Sequence, residues 1–159
     1  MIFVKALIFA TFCVAASLQQ APETESAISA CPGQPKPANL FIDNCGTKCM
    51  LYEDSKATAR WQFQTKQYTT LLRPKVRLTV PWRGKKRVYF ISEDILATSL
   101  ALDRSLPMQA GAIGTVMFDM MVPKETWTFI PFECTIELVD QSNNTLSCFN
   151  AWSEIRNKL

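Results

Sequence analysis

The sequence predicts an all-β fold, a sandwich of two sheets built from about seven short antiparallel strands. Three observations point there. Apolar residues recur at period two in four separate segments, and period two outweighs period 3.6 along the chain. Each segment is bounded by Pro, Gly, Asn or Asp, which end strands and begin turns. The length, 159 residues with 48% hydrophobic and 19% charged, suits one globular domain behind a targeting segment.

The chain opens with an address rather than with structure. Lys5 is the one charge of a short basic region, and residues 6–16 form an eleven-residue apolar run. A membrane-spanning helix needs about 20 such residues. Val14 and Ala16 occupy the −3 and −1 positions of a cleavage site after Ala16, so residues 1–16 have the three parts of a secretory signal peptide. The rival reading, a buried core helix, finds no apolar surface to pack against in residues 17–30. The expected product is secreted, into the extracellular space or an endolysosomal lumen. Cleavage removes Lys5 and Cys13, leaving 16 basic against 14 acidic residues, a net charge of +2. Five cysteines remain: Cys31, Cys45, Cys49, Cys134 and Cys148. An oxidising compartment turns spaced cysteines into disulfides, and an odd count leaves at least one free or paired between chains.

Residues 17–30 are Pro- and Ser-containing and read as a flexible lead-in to a domain over 31–159. The first alternation sets Ala57, Ala59, Trp61 and Phe63 against Thr58, Arg60, Gln62 and Gln64. The second sets Val76, Leu78 and Val80 against Lys75, Arg77 and Thr79. Val116, Phe118, Met120 and Val122 share one face of the third, and Phe132, Cys134, Ile136 and Leu138 one face of the fourth. Residues 40–44, 88–91 and 145–152 supply three weaker strands, and 93–102 reads as loop. A hairpin of 76–80 with 86–90 around Trp82, Arg83 and Gly84 predicts Val76 opposite Phe90 and Leu78 opposite Val88, all inward. That register turns Arg87 and Tyr89 outward. An even loop, which would set Arg87 against Leu78, is rejected on that ground.

Composition removes most catalytic chemistry. With no histidine, the Ser-His-Asp and Cys-His arrangements and His-ligated zinc are excluded. Cys45 and Cys49 stand without a second ligand pair, so no metal is expected. Five glycines form no phosphate-binding loop, and Glu53-Asp54 and Glu93-Asp94 are adjacent carboxylates without an acid/base partner. The charge balance does not call for nucleic acid. A binding protein without cofactor is expected, not an enzyme.

Cys31 followed by Cys45-Gly46-Thr47-Lys48-Cys49-Met50-Leu51-Tyr52 resembles the N-terminal frame of the MD-2-related lipid-recognition (ML) family. The nearest likeness is to its Niemann-Pick type C2-like secreted sterol carriers of arthropods. Leu106-Pro107-Met108-Gln109-Ala110-Gly111 is similar to the family's Cys-Pro-Leu-x-x-Gly. The stretch 114–122 ends in Val122-Pro123 as the ligand-lining strand of the family does, and Ile136 to Asp140, an Asn-rich turn and Leu146-Ser147-Cys148 match its closing hairpin. The likeness runs from Cys31 to Ile155. It implies an immunoglobulin-like sandwich whose sheets splay around one lipid, with disulfides Cys31–Cys148 and Cys45–Cys49. It also exposes departures. Leu106 and a leucine near position 100 replace the third disulfide, Asp54 replaces a glycine, and Cys134 has no family partner, which suits a buried, inert thiol.

The same resemblance turns an apolar stripe, ordinary core by pattern alone, into a candidate pocket. Val116, Phe118 and Met120 are its expected lining, and Phe63, Trp82 and Phe132 its wall or mouth. The basic run Arg73, Lys75, Arg77, Arg83, Lys85, Lys86 and Arg87 holds seven cations in fifteen residues without an acid. It reads either as a dock for anionic membrane or as a solvated, aggregation-resistant strand face, and Trp82 favours the membrane. Asn143-Asn144-Thr145 is a glycosylation sequon in a eukaryotic source, at Asn143. The expected function is a secreted, monomeric carrier of a sterol, fatty acid or similar small lipid. The alternative is an extracellular innate-immune recognition subunit presenting microbial lipid to a receptor.

Overall fold

The computed structural model describes residues 26–122, 124 and 128–157, so the expected signal peptide and most of the lead-in lie outside the described residues. In chain order the elements are β1 (Ile28–Ala30), β2 (Ala38–Ile42), β3 (Cys49–Tyr52), β4 (Lys56–Gln64), β5 (Leu72–Trp82) and β6 (Lys85–Phe90). The helix α1 (Glu93–Leu96) follows, then β7 (Leu100–Leu102), β8 (Ile113–Met121), β9 (Phe132–Asp140) and β10 (Thr145–Arg156). They form two sheets. One has the order β1-β10-β9-β5-β6 with β3 also on β10, and the other has the order β2-β4-β8-β7.

All seven expected strand segments are present. Three strands of three or four residues were not expected, because so few residues establish no period. Ile28 to Ala30 pairs with Phe149 to Ala151, so the expected lead-in closes as a strand and the folded unit begins before Cys31. Cys49 to Tyr52 runs parallel to Ser153 to Arg156, the exception to antiparallel pairing. The expected loop 93–102 holds α1 and β7, and Leu100 pairs with Phe118. These elements draw their hydrogen bonds and burial from partners far away in sequence.

The period-two faces are as expected. Ala59, Trp61 and Phe63 of β4 stand opposite Phe118, Val116 and Gly114 of β8 on the inner face of one sheet. Val76, Ile136 and Phe149 align across the other. Trp61 bridges the layers. Its ring meets Phe149 edge-on at 5.3 Å, and its indole N–H donates to Ser147 Oγ at 2.8 Å. Gly114 fits there because a Cβ would stand 2.9 Å from the Phe63 ring.

The β5–β6 hairpin corrects the expected register by one residue. Val80 pairs with Arg87, Leu78 with Tyr89 and Arg77 with Phe90, around the two-residue turn Arg83-Gly84. Both turn residues have positive φ, 47° and 74°, as a type I′ turn requires. Such a turn matches strand twist, and a one-residue slip reverses every side chain. Arg87 and Tyr89 therefore share the face of Leu78 and Val80, while Val88 and Phe90 take the other, and all six residues of β6 are exposed.

Both disulfides implied by the resemblance are present. Cys31–Cys148 spans 117 residues, a closure the chain-entropy view puts on the order of 4–5 kcal/mol, and Cys45–Cys49 closes a small loop. Asp54 has φ 53°, a left-handed conformation that glycine favours and Asp tolerates. Leu100 and Leu106 both pack on the core from partly buried positions.

Candidate ligand cavity

A cavity of about 460 Å³ lies between the sheets at the β5–β6 end of the sandwich. One wall is the inner face of the larger sheet: Leu78, Val80 and Trp82 from β5, Phe132 and Cys134 from β9, Ile155 from β10 and Leu51 from β3. Met120 and Val122, at the end of β8, come from the opposite side. The rim consists of Arg87, Tyr89, Phe90 and Ile91. Period-two alternation is why one strand can line the cavity and still present a polar outer face.

Three of the six expected pocket residues line this space: Trp82, Met120 and Phe132. Phe118 borders a smaller void of about 40 Å³ that shares Leu51, Met120 and Cys134 with the main cavity. Phe63 and Val116 do not line either space. They are buried at the opposite end, where Trp61, Ser147 and Phe149 hold the sheets together, and they serve as packed core. Pattern alone could not separate these roles, because cavity and core residues share one strand face. Leu51 and Ile155 went unnoticed because their wall is made by the parallel β3–β10 pair. Arg87 and Tyr89 were missed through the register, although the Arg83-Gly84 pair was the available signal for a two-residue turn.

The cavity wall is apolar except at the rim. Among the described residues Arg87 is the one charged residue of the lining. Its Cζ lies 5.2 Å from the Trp82 ring centroid, and Arg83 Cζ lies 5.8 Å from the same centroid. The thiol of Cys134 is buried and free, and burial, helped by the neighbouring Glu133 carboxylate, pushes its pKa up to about 12. It therefore stays protonated and acts as wall rather than nucleophile.

The basic run does not form one patch. Arg73, Lys75 and Arg77 lie on the outer face of β5, where Arg73 Nη2 donates to Asn143 Oδ1 at 3.0 Å and Arg77 Nη2 to Thr135 Oγ1 at 3.4 Å. Lys75 stands across from Glu137 in the ladder. Arg83, Lys85, Lys86 and Arg87 gather at the hairpin tip with Trp82, and the register sets Lys85 and Arg87 on the cavity-facing side and Lys86 on the other. The sequon residue Asn143 is exposed in the β9–β10 turn with φ 61°.

That turn is built by a residue not singled out from sequence. Asp140 is fully buried, and its carboxylate accepts from Ser142 N, Asn144 N, Asn144 Nδ2 and Gln67 Nε2 at 2.8–3.1 Å. Burial alone would raise its pKa, but these donors outweigh burial and hold it below the usual range. Among the described residues no cluster of three His, Cys, Asp or Glu is placed to hold a metal ion.

No protein-family model and no curated protein matches the sequence. Solved structures do match. A Niemann-Pick type C2 protein from Japanese carpenter ant superposes with a TM-score of 0.62 at 14% identity, over 81% of this chain and 98% of that one. The chain shares its fold with that Niemann-Pick type C2 protein. At this identity the likeness establishes the sandwich and its connectivity, and the chemistry has to come from the residues described above. Chicken MD-1 complexed with lipid IVa gives a TM-score of 0.47 at 16% identity, over 79% of this chain and 85% of that one, a match too loose to carry weight.

Proposed function

We propose that this chain is a secreted, non-enzymatic carrier that holds one small hydrophobic molecule, such as a sterol or a fatty acid, between its two sheets. The observation that carries the reading is the apolar cavity of about 460 Å³, bounded by side chains of both sheets and within the size range of small-molecule sites. The Niemann-Pick type C2 fold and the two disulfides of an oxidising compartment support it. Burying ~300 Å² of lipid at ~25 cal/mol/Å² contributes roughly 7 kcal/mol before ordering costs, which leaves about micromolar affinity and permits exchange.

In this reading Trp82, Met120 and Phe132 contact the ligand, and Phe118 borders its inner end. The hairpin tip, with Trp82 beside Arg83, Lys85, Lys86 and Arg87, meets anionic membrane during transfer. Residues 1–16 direct export, Asn143 carries a glycan in a eukaryotic source, and the carrier works as a monomer.

Native mass spectrometry of the chain secreted from its own kind of cell, followed by lipid extraction, tests the reading. The expected result is about one sterol or fatty acid per chain. An empty protein that takes up neither added sterol, fatty acid nor lipopolysaccharide would overturn it.

A further inference from the structure

The mouth of the cavity holds cations that an apolar carrier does not require. Arg83 and Arg87 both lie against the Trp82 ring, at 5.8 and 5.2 Å from its centroid. Like charges on one indole repel, and the ring satisfies none of the in-plane donors of a guanidinium. Lys85 pairs with Trp82 in the ladder and adds a third cation on that face. The salt bridges among the described residues are Lys48–Glu154, Lys56–Asp119 and Arg156–Glu154, and none reaches this group. Among the described residues no carboxylate lines the cavity. Arg87 pairs with Val80, so its stem leaves the apolar wall where solvent begins.

We propose that Arg87, supported by Arg83, is a head-group anchor and that the preferred ligand is a long-chain carboxylate rather than a neutral lipid. The inference rests on the carrier reading and names its substrate class. The tail lies against Leu78, Val80, Met120 and Phe132, and the carboxylate meets the guanidinium at the rim. A carboxylate brought to an apolar rim loses hydration, a cost that a paired cation with matching donors offsets. The guanidinium fork suits two carboxylate oxygens, and stacking on Trp82 holds Arg87 in place before binding. A neutral lipid fills the same walls but leaves the cations unanswered, so the rim rather than the cavity supplies the selectivity.

The test uses the mature chain in vesicle-free buffer and measures displacement of a fluorescent apolar probe by hexadecanoate and by its methyl ester. The wild-type protein should bind the acid about tenfold or more tightly than the ester. Arg87→Met should weaken the acid to the level of the ester and leave the ester unchanged, while Arg87→Lys retains part of the preference. Equal wild-type affinities for acid and ester would overturn the anchor and leave the carrier standing, and this comparison requires no variant to fold. Arg87→Met weakening both ligands alike would also overturn it. Failure of acid, ester and cholesterol all to displace the probe would remove the carrier reading itself.

Discussion

Trp61 on β4 donates its indole N–H to Ser147 Oγ on β10 across 2.8 Å of buried interior, and so joins the two sheets at a point remote from the cavity. The sandwich is closed by this bond and by the edge-on Trp61–Phe149 contact, and it opens toward the β5–β6 turn. One molecule can therefore keep a well-packed end and an unfilled end without losing a common core.

Trp61→Phe should leave the Ser147 hydroxyl buried without its donor, at a cost of about 1–3 kcal/mol. Urea denaturation of both single variants and of Trp61→Phe with Ser147→Ala measures the coupling. Strictly additive losses would deny the bond a role in joining the sheets.

Core and cavity residues on the same strands should respond differently to truncation. Phe63→Ala removes a buried ring packed on Gly114 and should cost about 3–5 kcal/mol while leaving ligand affinity near that of the wild type. Met120→Ala removes a partly exposed cavity wall and should cost under about 2 kcal/mol, with the larger change in ligand affinity. Thermal melts and probe displacement on the two variants decide, and the reverse pattern would exchange the roles assigned here.

Stability should fall in acid through Glu154. Its Oε2 accepts from Lys48 Nζ at 2.7 Å and Arg156 lies against Oε1. The Lys48 hydrogen bond, opposed by burial and aided by both cations, holds its pKa below the ordinary 4.5. A depressed folded pKa means that this contribution is fully present above the unfolded value, near pH 4.5, and is lost as pH falls through the folded one. Glu154→Gln should therefore be less stable at neutral pH and flatter in its pH–stability profile below about pH 5. Parallel profiles for variant and wild type would contradict this.

Transfer and binding should separate at the hairpin tip. Glutamate at Lys86, on the face turned away from the cavity, should slow ligand transfer to anionic vesicles by about tenfold, at about 1 kcal/mol for each unit of charge removed. Transfer to neutral vesicles should change little, and the wild-type rate should fall with added salt. An unchanged rate would leave Lys86 as a solvated edge residue.

The period-two pattern determined a good deal without tertiary information. It named the faces of β4, β8 and β9 correctly, because side-chain alternation is a local property of extended backbone. The absence of histidine limited the available chemistry in the same local way. Other features depend on what the chain meets. β1, β3 and β7 are strands because β10 and β8 offer them hydrogen-bond partners, not because three or four residues prefer to be extended. Val116 and Met120 lie on one face of one strand, yet the first is packed and the second borders open space. That distinction follows from where two sheets diverge, which no single strand encodes. Arg87 is the sharpest case. Its outward placement rested on keeping charge away from Leu78, whereas the two-residue turn at Arg83-Gly84 sets it beside the cavity, where the open rim lets its guanidinium stay solvated. Alternation is written residue by residue, but register and cavity are settled by turn geometry and by the packing of surfaces far apart in the chain.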